Sequence, residues 1–170
     1  MSIFSSLANP AASSGECARY RGSKQTLQTS IDEQIASHQI EMPASDSTVR
    51  VVLVNTLLFE PGSAMLSAEG QTLLSKLTGL IKDERYPHIR VQGHTDDRPL
   101  KSTSWYASNW ELSVARATAV VRFLQDTVGV RPERISATGF GQYRPVASNT
   151  SDEGRRQNRR IEIILETIRP

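Results

Sequence analysis

The stretch Ile89-Arg90-Val91-Gln92-Gly93-His94-Thr95-Asp96-Asp97, read with the later run Ser108-Asn109-Trp110-Glu111-Leu112-Ser113-Val114-Ala115-Arg116-Ala117, decides the fold of this 170-residue chain. Ile89 to Gln92 alternates apolar and polar, the mark of a half-buried strand. The residues after it present a carboxylate, Asp96, where the backbone leaves the sheet. The second run predicts a helix opened by the capping box Ser108-x-x-Glu111. At about 100° per residue, Leu112, Ala115, Ala119, Val120, Phe123 and Leu124 fall in one apolar arc. Arg116 falls inside that arc, about 40° from Leu112. A solvated arginine belongs on the opposite face, where Arg122 is. An arginine in a core-facing arc needs an anionic partner, because an unpaired buried charge is strongly disfavoured.

Two readings of Asp96 and Arg116 follow from residue chemistry, and it leaves both open. One fixed anion and one fixed cation can hold a zwitterion, with an amino group on the carboxylate and a carboxylate on the guanidinium fork. Alternatively, the two close on each other as an internal salt bridge between strand end and helix.

Four ordered blocks carry a family resemblance. They are Leu58-Phe59 with Gly62-Ser63-Ala64; Gly93-His94-Thr95-Asp96; Asn109 with Leu112-Ser113 and Ala115-Arg116-Ala117; and Gly139-Phe140-Gly141 through Arg144-Pro145-Val146 to Gly154-Arg155 and Asn158-Arg159-Arg160. From about residue 49 to 166 the chain resembles the OmpA-like C-terminal domain, shared by outer-membrane protein A, the peptidoglycan-associated lipoprotein and the flagellar stator protein MotB. Asp97-Arg98-Pro99 and Ser108 to Ser113 are most similar to the stator branch.

The resemblance implies a domain that binds peptidoglycan without covalent chemistry. The diamino acid of the stem peptide, diaminopimelate, would rest its amino group on Asp96 and its carboxylate on Arg116. Thr95, Asn109, Leu112 and an arginine from the pair Arg159-Arg160 would complete the site; the two straddle a strand edge, so one faces the sheet interior or pocket and the other solvent. The resemblance also implies a homodimer, through the final strand or a helix at 24–38, and a membrane-anchored parent protein in the periplasm. No cofactor is expected.

Composition is consistent with this and excludes other classes. Hydrophobic content of 38% and charged content of 22% fit a globular protein. A net charge of +2 is too small to argue for nucleic acid. The cluster Arg155, Arg156, Arg159, Arg160 is interleaved with Asp152, Glu153 and Glu162 and lacks the aromatics that stack bases. Cys17 is the one cysteine, so no intramolecular disulfide forms. Ser13-Ser14-Gly15-Glu16 before it does not read as a lipobox. No apolar run is long enough to span a membrane, and residues 1–7 lack the pattern of a signal peptide. The chain therefore reads as the periplasmic piece of a longer protein.

Residues 1–48 read as an extension and 49–170 as the binding domain. In the extension, Leu27, Ile31 and Ile35 predict a short amphipathic helix over 24–38, and Met42-Pro43-Ala44-Ser45-Asp46-Ser47 a hinge. In the domain, Val49 to Leu58 predicts a central strand. Ser67 caps a helix with Leu73, Leu74, Leu77, Leu80 and Ile81 on one face. The helix from Ser108 runs to about Thr127, ended by Gly129 and Pro132. Ile135–Thr138 is a short strand, Asp152–Gln157 a short helix, and Ile161, Ile163 and Leu165 mark a half-exposed final strand. Two strand–helix–strand passes and two further strands imply an α+β two-layer sandwich: a mixed four-stranded sheet with helices on one face.

Competing chemistries are weaker. His94, Asp96 and Asp97 point in different directions from a strand end, which argues against a metal site. Ser63, Ser113 and Cys17 have no recognisable base, and adjacent Asp96 and Asp97 face apart, so hydrolase chemistry is not expected. Asn109 either caps the helix or contacts ligand. Trp105 and Trp110 either stack on a sugar ring or pack within the fold.

Overall fold

The computed structural model describes residues 40–41, 48–60 and 62–167. The expected 24–38 helix and the 42–47 hinge lie outside these residues. Strands are β1 (Ile40–Glu41), β2 (Thr48–Val54), β3 (His88–Gly93), β4 (Ile135–Gly139) and β5 (Arg160–Glu166). Helical segments are α1 (Asn55–Leu58, one turn), α2 (Ala68–Lys76), α3 (Thr78–Ile81), α4 (Asn109–Phe123) and α5 (Asp152–Asn158).

The sheet order is β1-β2-β5-β3-β4. β5 runs antiparallel to β2 on one side and to β3 on the other, and β3 pairs in parallel with β4. The four longer strands form the mixed sheet that the sequence predicts, and the two-residue β1 extends it along β2. Val49, Val51, Leu53, Ile89, Val91, Ile161, Ile163 and Leu165 meet Leu74, Leu77, Ile81, Ala117, Val120 and Leu124 in one core. This is the expected α+β sandwich.

β5 is central, and that corrects the half-exposed reading. Arg160, Glu162 and Ile164 on its second face are also buried. Arg160 pairs with Glu162 at 2.7 Å, and Arg50 reaches Glu162 at 3.7 Å. Charged residues are poor strand formers, but that preference spans only about 1 kcal/mol, whereas each buried Ile or Leu contributes roughly 1.5–3 kcal/mol. Both edges of β5 are hydrogen-bonded, so it offers no free edge for dimerisation by strand addition.

The first long strand stops at Val54 rather than Leu58. The Asn55 side chain donates to the His94 carbonyl at 3.1 Å, and its backbone N–H donates to the Arg159 carbonyl at 2.9 Å. Those bonds replace ladder pairing, and the turn that follows sends Leu58 and Phe59 into the core. The helix capped by Ser67 is interrupted at Leu77, although the apolar face is as expected.

α4 is rotated from the expected arc. Its buried side carries Ser113, Ala117, Val120 and Val121, continued by Leu124 just past its end, with Leu112 and Arg116 at one margin. The cause lies beneath it. Gly93 and Gly139 are register partners at the ends of β3 and β4. A Cβ on Gly93 would lie 2.1 Å from the Ser113 carbonyl oxygen, and one on Gly139 would lie 2.5 Å from Ser113 Oγ. The two glycines make a trough that admits only a small-residue ridge. That seating carries Arg116 to the rim, beside the strand ends.

Candidate functional site

The site forms where β3 ends against the loops that flank α4. Backbone bonds hold the exit of β3: His94 N–H donates to the Arg160 carbonyl at 3.0 Å, Thr95 N–H to the Gly141 carbonyl at 2.9 Å. Thr95 Oγ1 donates to the Asp96 carbonyl at 2.9 Å. Asn109 Nδ2 is shared among the carbonyls of Asp96 (3.3 Å) and Arg98 (3.1 Å) and Gln142 Oε1 (3.0 Å). Ser108, not Asn109, caps α4, accepting from Trp110 N–H at 3.1 Å. The Asn109 amide therefore fixes the loop after Asp96. Thr95 likewise braces it.

The carboxylate of Asp96 is buried and held by two groups. Oδ2 accepts from Arg159 Nη1, and Oδ1 takes a long bond of 3.3 Å from Arg98 N–H. The internal Asp96–Arg116 salt bridge is absent. The anion's partner is Arg159.

Arg116 is only 8% exposed. Its Nε donates to the Ser63 carbonyl at 3.0 Å, and its guanidinium lies 5.2 Å from the centre of the Phe59 ring. No carboxylate among the described residues pairs with it. Burial lowers its pKa to about 10; Tyr106 raises it, the Arg159 cation lowers it, and Asp96 raises it. It stays charged at neutral pH, desolvated and without an acid.

A cleft of about 720 Å³ opens between these groups. Asp96, Arg116, Thr95, Asn109, Leu112 and Arg159 all line it. Arg160 does not. It is buried on the far side of the sheet, bonded to Glu162 and to the Arg144 carbonyl, and is not the solvent-facing member of the pair. The preceding residue, Asn158, is held by the 146–149 loop: its side chain accepts from Val146 and Ala147 N–H and donates to Ala147 O and Asn149 Oδ1.

Sequence reasoning missed Phe59, Ser63 and Tyr106. Phe59 and Ser63 lie in the first resembling block, but nothing in their spacing announces a seat for an arginine. His94 faces away from the cleft, stacked on Phe140 at 5.2 Å, with Nε2 3.8 Å from Glu162. Burial lowers its pKa to about 4, so it is neutral at pH 7. Among the described residues no group of acids, histidines and cysteines is arranged to hold a metal, and no helix is long and apolar enough to cross a membrane.

A family model described as the OmpA family matches residues 58–159, more than half of the chain and the whole of this cleft's central framework. The chain belongs to the OmpA family. Motility protein B of Bacillus subtilis (strain 168) is similar to it, 31% identical over 142 residues, which is 84% of this chain and 54% of that protein. The chain spans about half the length of the curated relatives it matches. Among solved structures, a putative MotB-like protein from Desulfovibrio vulgaris superposes with a TM-score of 0.77 at 29% identity, covering 91% of this chain and 94% of that one. The cell wall anchor of the T6SS from Pseudomonas aeruginosa superposes with a TM-score of 0.73 at 32% identity, covering 84% and 96%.

Proposed function

We propose that this domain binds peptidoglycan non-covalently, holding the free end of the stem-peptide diamino acid between Asp96 and Arg116. The observation that carries this reading is Arg116: a buried, charged guanidinium in the cleft with no acid of its own among the described residues. Leaving such a charge unpaired is costly, and a ligand carboxylate removes that cost. Asp96 Oδ1, with only one long bond, keeps lone pairs for an ammonium group. Diaminopimelate offers both charges on one carbon. Thr95, Asn109 and Leu112 hold the walls, and Arg159 fixes the carboxylate.

The domain serves as an anchor rather than an enzyme, tying an envelope complex to the cell wall. Similarity to motility protein B over most of the chain favours a flagellar stator, in a periplasmic, membrane-anchored and dimeric parent protein. The similarity to the secretion-system anchor supports a second reading, a tether for a different envelope machine, which the gene context would distinguish. The binding reading is tested by co-sedimentation with purified cell-wall sacculi. Asp96→Ala and Arg116→Ala should each abolish pelleting while the protein stays folded. Wild-type pelleting by the double variant would overturn the clamp.

A further inference from the structure

A second groove, of about 650 Å³, runs from the cleft along the loop before α4. The two share the walls formed by Pro99–Lys101 and Ser104–Tyr106, together with Asn109. Three exposed aromatic rings border the groove beside the partly buried Tyr106, and none is used by the core. Trp105 is 99% exposed. Trp110 and Tyr143, 47% and 63% exposed, stack on each other at 5.1 Å with their planes 24° apart. Packing was the alternative role for both tryptophans, and the exposure of Trp105 removes it for that residue. Isolated exposed apolar residues are ordinary, but three aromatics around one groove form a patch that marks a binding surface.

We propose that this groove is a saccharide subsite that takes the N-acetylated glycan of the wall polymer, with Trp105 and the Trp110–Tyr143 pair as platforms. A pyranose ring has an apolar C–H face and a polar rim. Flat aromatic faces beside hydroxyls and amides match that shape, and Ser102, Ser104 and Gln142 supply the polar edge. Among the described residues Lys101 is the one charged residue lining the groove, which suits an uncharged sugar better than an acidic or basic peptide. Continuity commits the occupant: a stem peptide in the cleft is covalently attached to its glycan, and the shared wall leads from one site to the other. The inference rests on the clamp reading for this continuity.

The test compares three probes by titration calorimetry: free stem tripeptide ending in diaminopimelate, the same tripeptide on its disaccharide, and peptide-free glycan strands. Tyr143→Ala, at an exposed position that lines the groove but not the cleft, should leave the melting temperature unchanged. It should weaken the disaccharide-tripeptide on the order of tenfold while free tripeptide binds as before. Equal affinities of wild-type protein for the tripeptide with and without disaccharide would overturn the subsite. So would an equal loss for both probes in the variant, or a change in oligomeric state, which would assign the patch to a second copy of the chain. If wild-type protein binds no free tripeptide, the clamp fails and the glycan strands decide the groove alone. Binding that Tyr143→Ala removes supports the subsite, and no binding overturns it.

Discussion

Arg159, and not Arg116, holds the carboxylate of Asp96. The strand-end anion and the helix cation therefore do not neutralise each other. Each remains directed at the cleft, and the cleft carries more positive than negative charge, with Arg98 tied to Asp152 at 2.7 Å. A self-satisfied ion pair would leave little reason to bind anything.

Arg159 is then a positioning residue whose loss should be milder than that of either clamp member. Arg159→Gln frees Asp96 to rotate and removes an ion pair that is exposed only on its arginine side. Binding of a diaminopimelate tripeptide should weaken by about 1 kcal/mol, against roughly 1.5–3 kcal/mol for Arg116→Ala. Calorimetry on the two variants checks the order. A greater loss in Arg159→Gln would make Arg159 a direct ligand.

Gly93→Ala should be among the most damaging single-methyl changes in the domain. The added Cβ meets backbone, the Ser113 carbonyl oxygen, rather than a side chain that can swing away. Overpacking of this kind costs about 1–3 kcal/mol or more. Thermal unfolding should show a melting temperature lowered by several degrees, and the displacement of α4 should weaken ligand binding with it. An unchanged melting temperature would mean that α4 is not seated as described.

His94 should make the fold sensitive to mild acid. Its neutral form is favoured in the folded protein, with a pKa lowered to about 4 by burial and then by the Arg160 cation, against 6.5 for a free imidazole. The unfolded chain binds the proton first as pH falls, so stability is full above pH 6.5 and is lost progressively down to about pH 4. The loss amounts to roughly 3 kcal/mol. His94→Phe, which keeps a ring against Phe140, should flatten denaturant midpoints across that window relative to the wild type. Parallel pH profiles for the two proteins would contradict the assignment.

Much of this architecture was legible because local and global signals agree. The alternation at Ile89–Gln92, the caps at Ser67 and Ser108 and the repeat in the final strand all report local periodicity, which the sheet preserves. Topology is not local: nothing in Arg160–Glu166 announces that two neighbours flank it, so its polar alternation imitates an edge. The rotation of α4 was hidden for the same reason. It is set by Gly93 and Gly139, which come from two strands and act only once those strands lie side by side. In the site, Asp96, Arg116, Thr95, Asn109, Leu112 and Arg159 were visible as residue types in blocks. The pairing of Asp96 with Arg159 spans 63 positions and has no sequence mark. The seat of Arg116 on Phe59 and Ser63 is equally remote.

The most direct measurement is made on the ligand. Stem tripeptides ending in diaminopimelate and in lysine differ by the one carboxylate assigned to Arg116. Calorimetric titration of the wild-type domain should show the lysine peptide bound about tenfold to a hundredfold more weakly, as expected for one lost charge-assisted contact, and that preference should vanish in Arg116→Ala. Equal affinity of the wild-type domain for the two peptides would contradict the account.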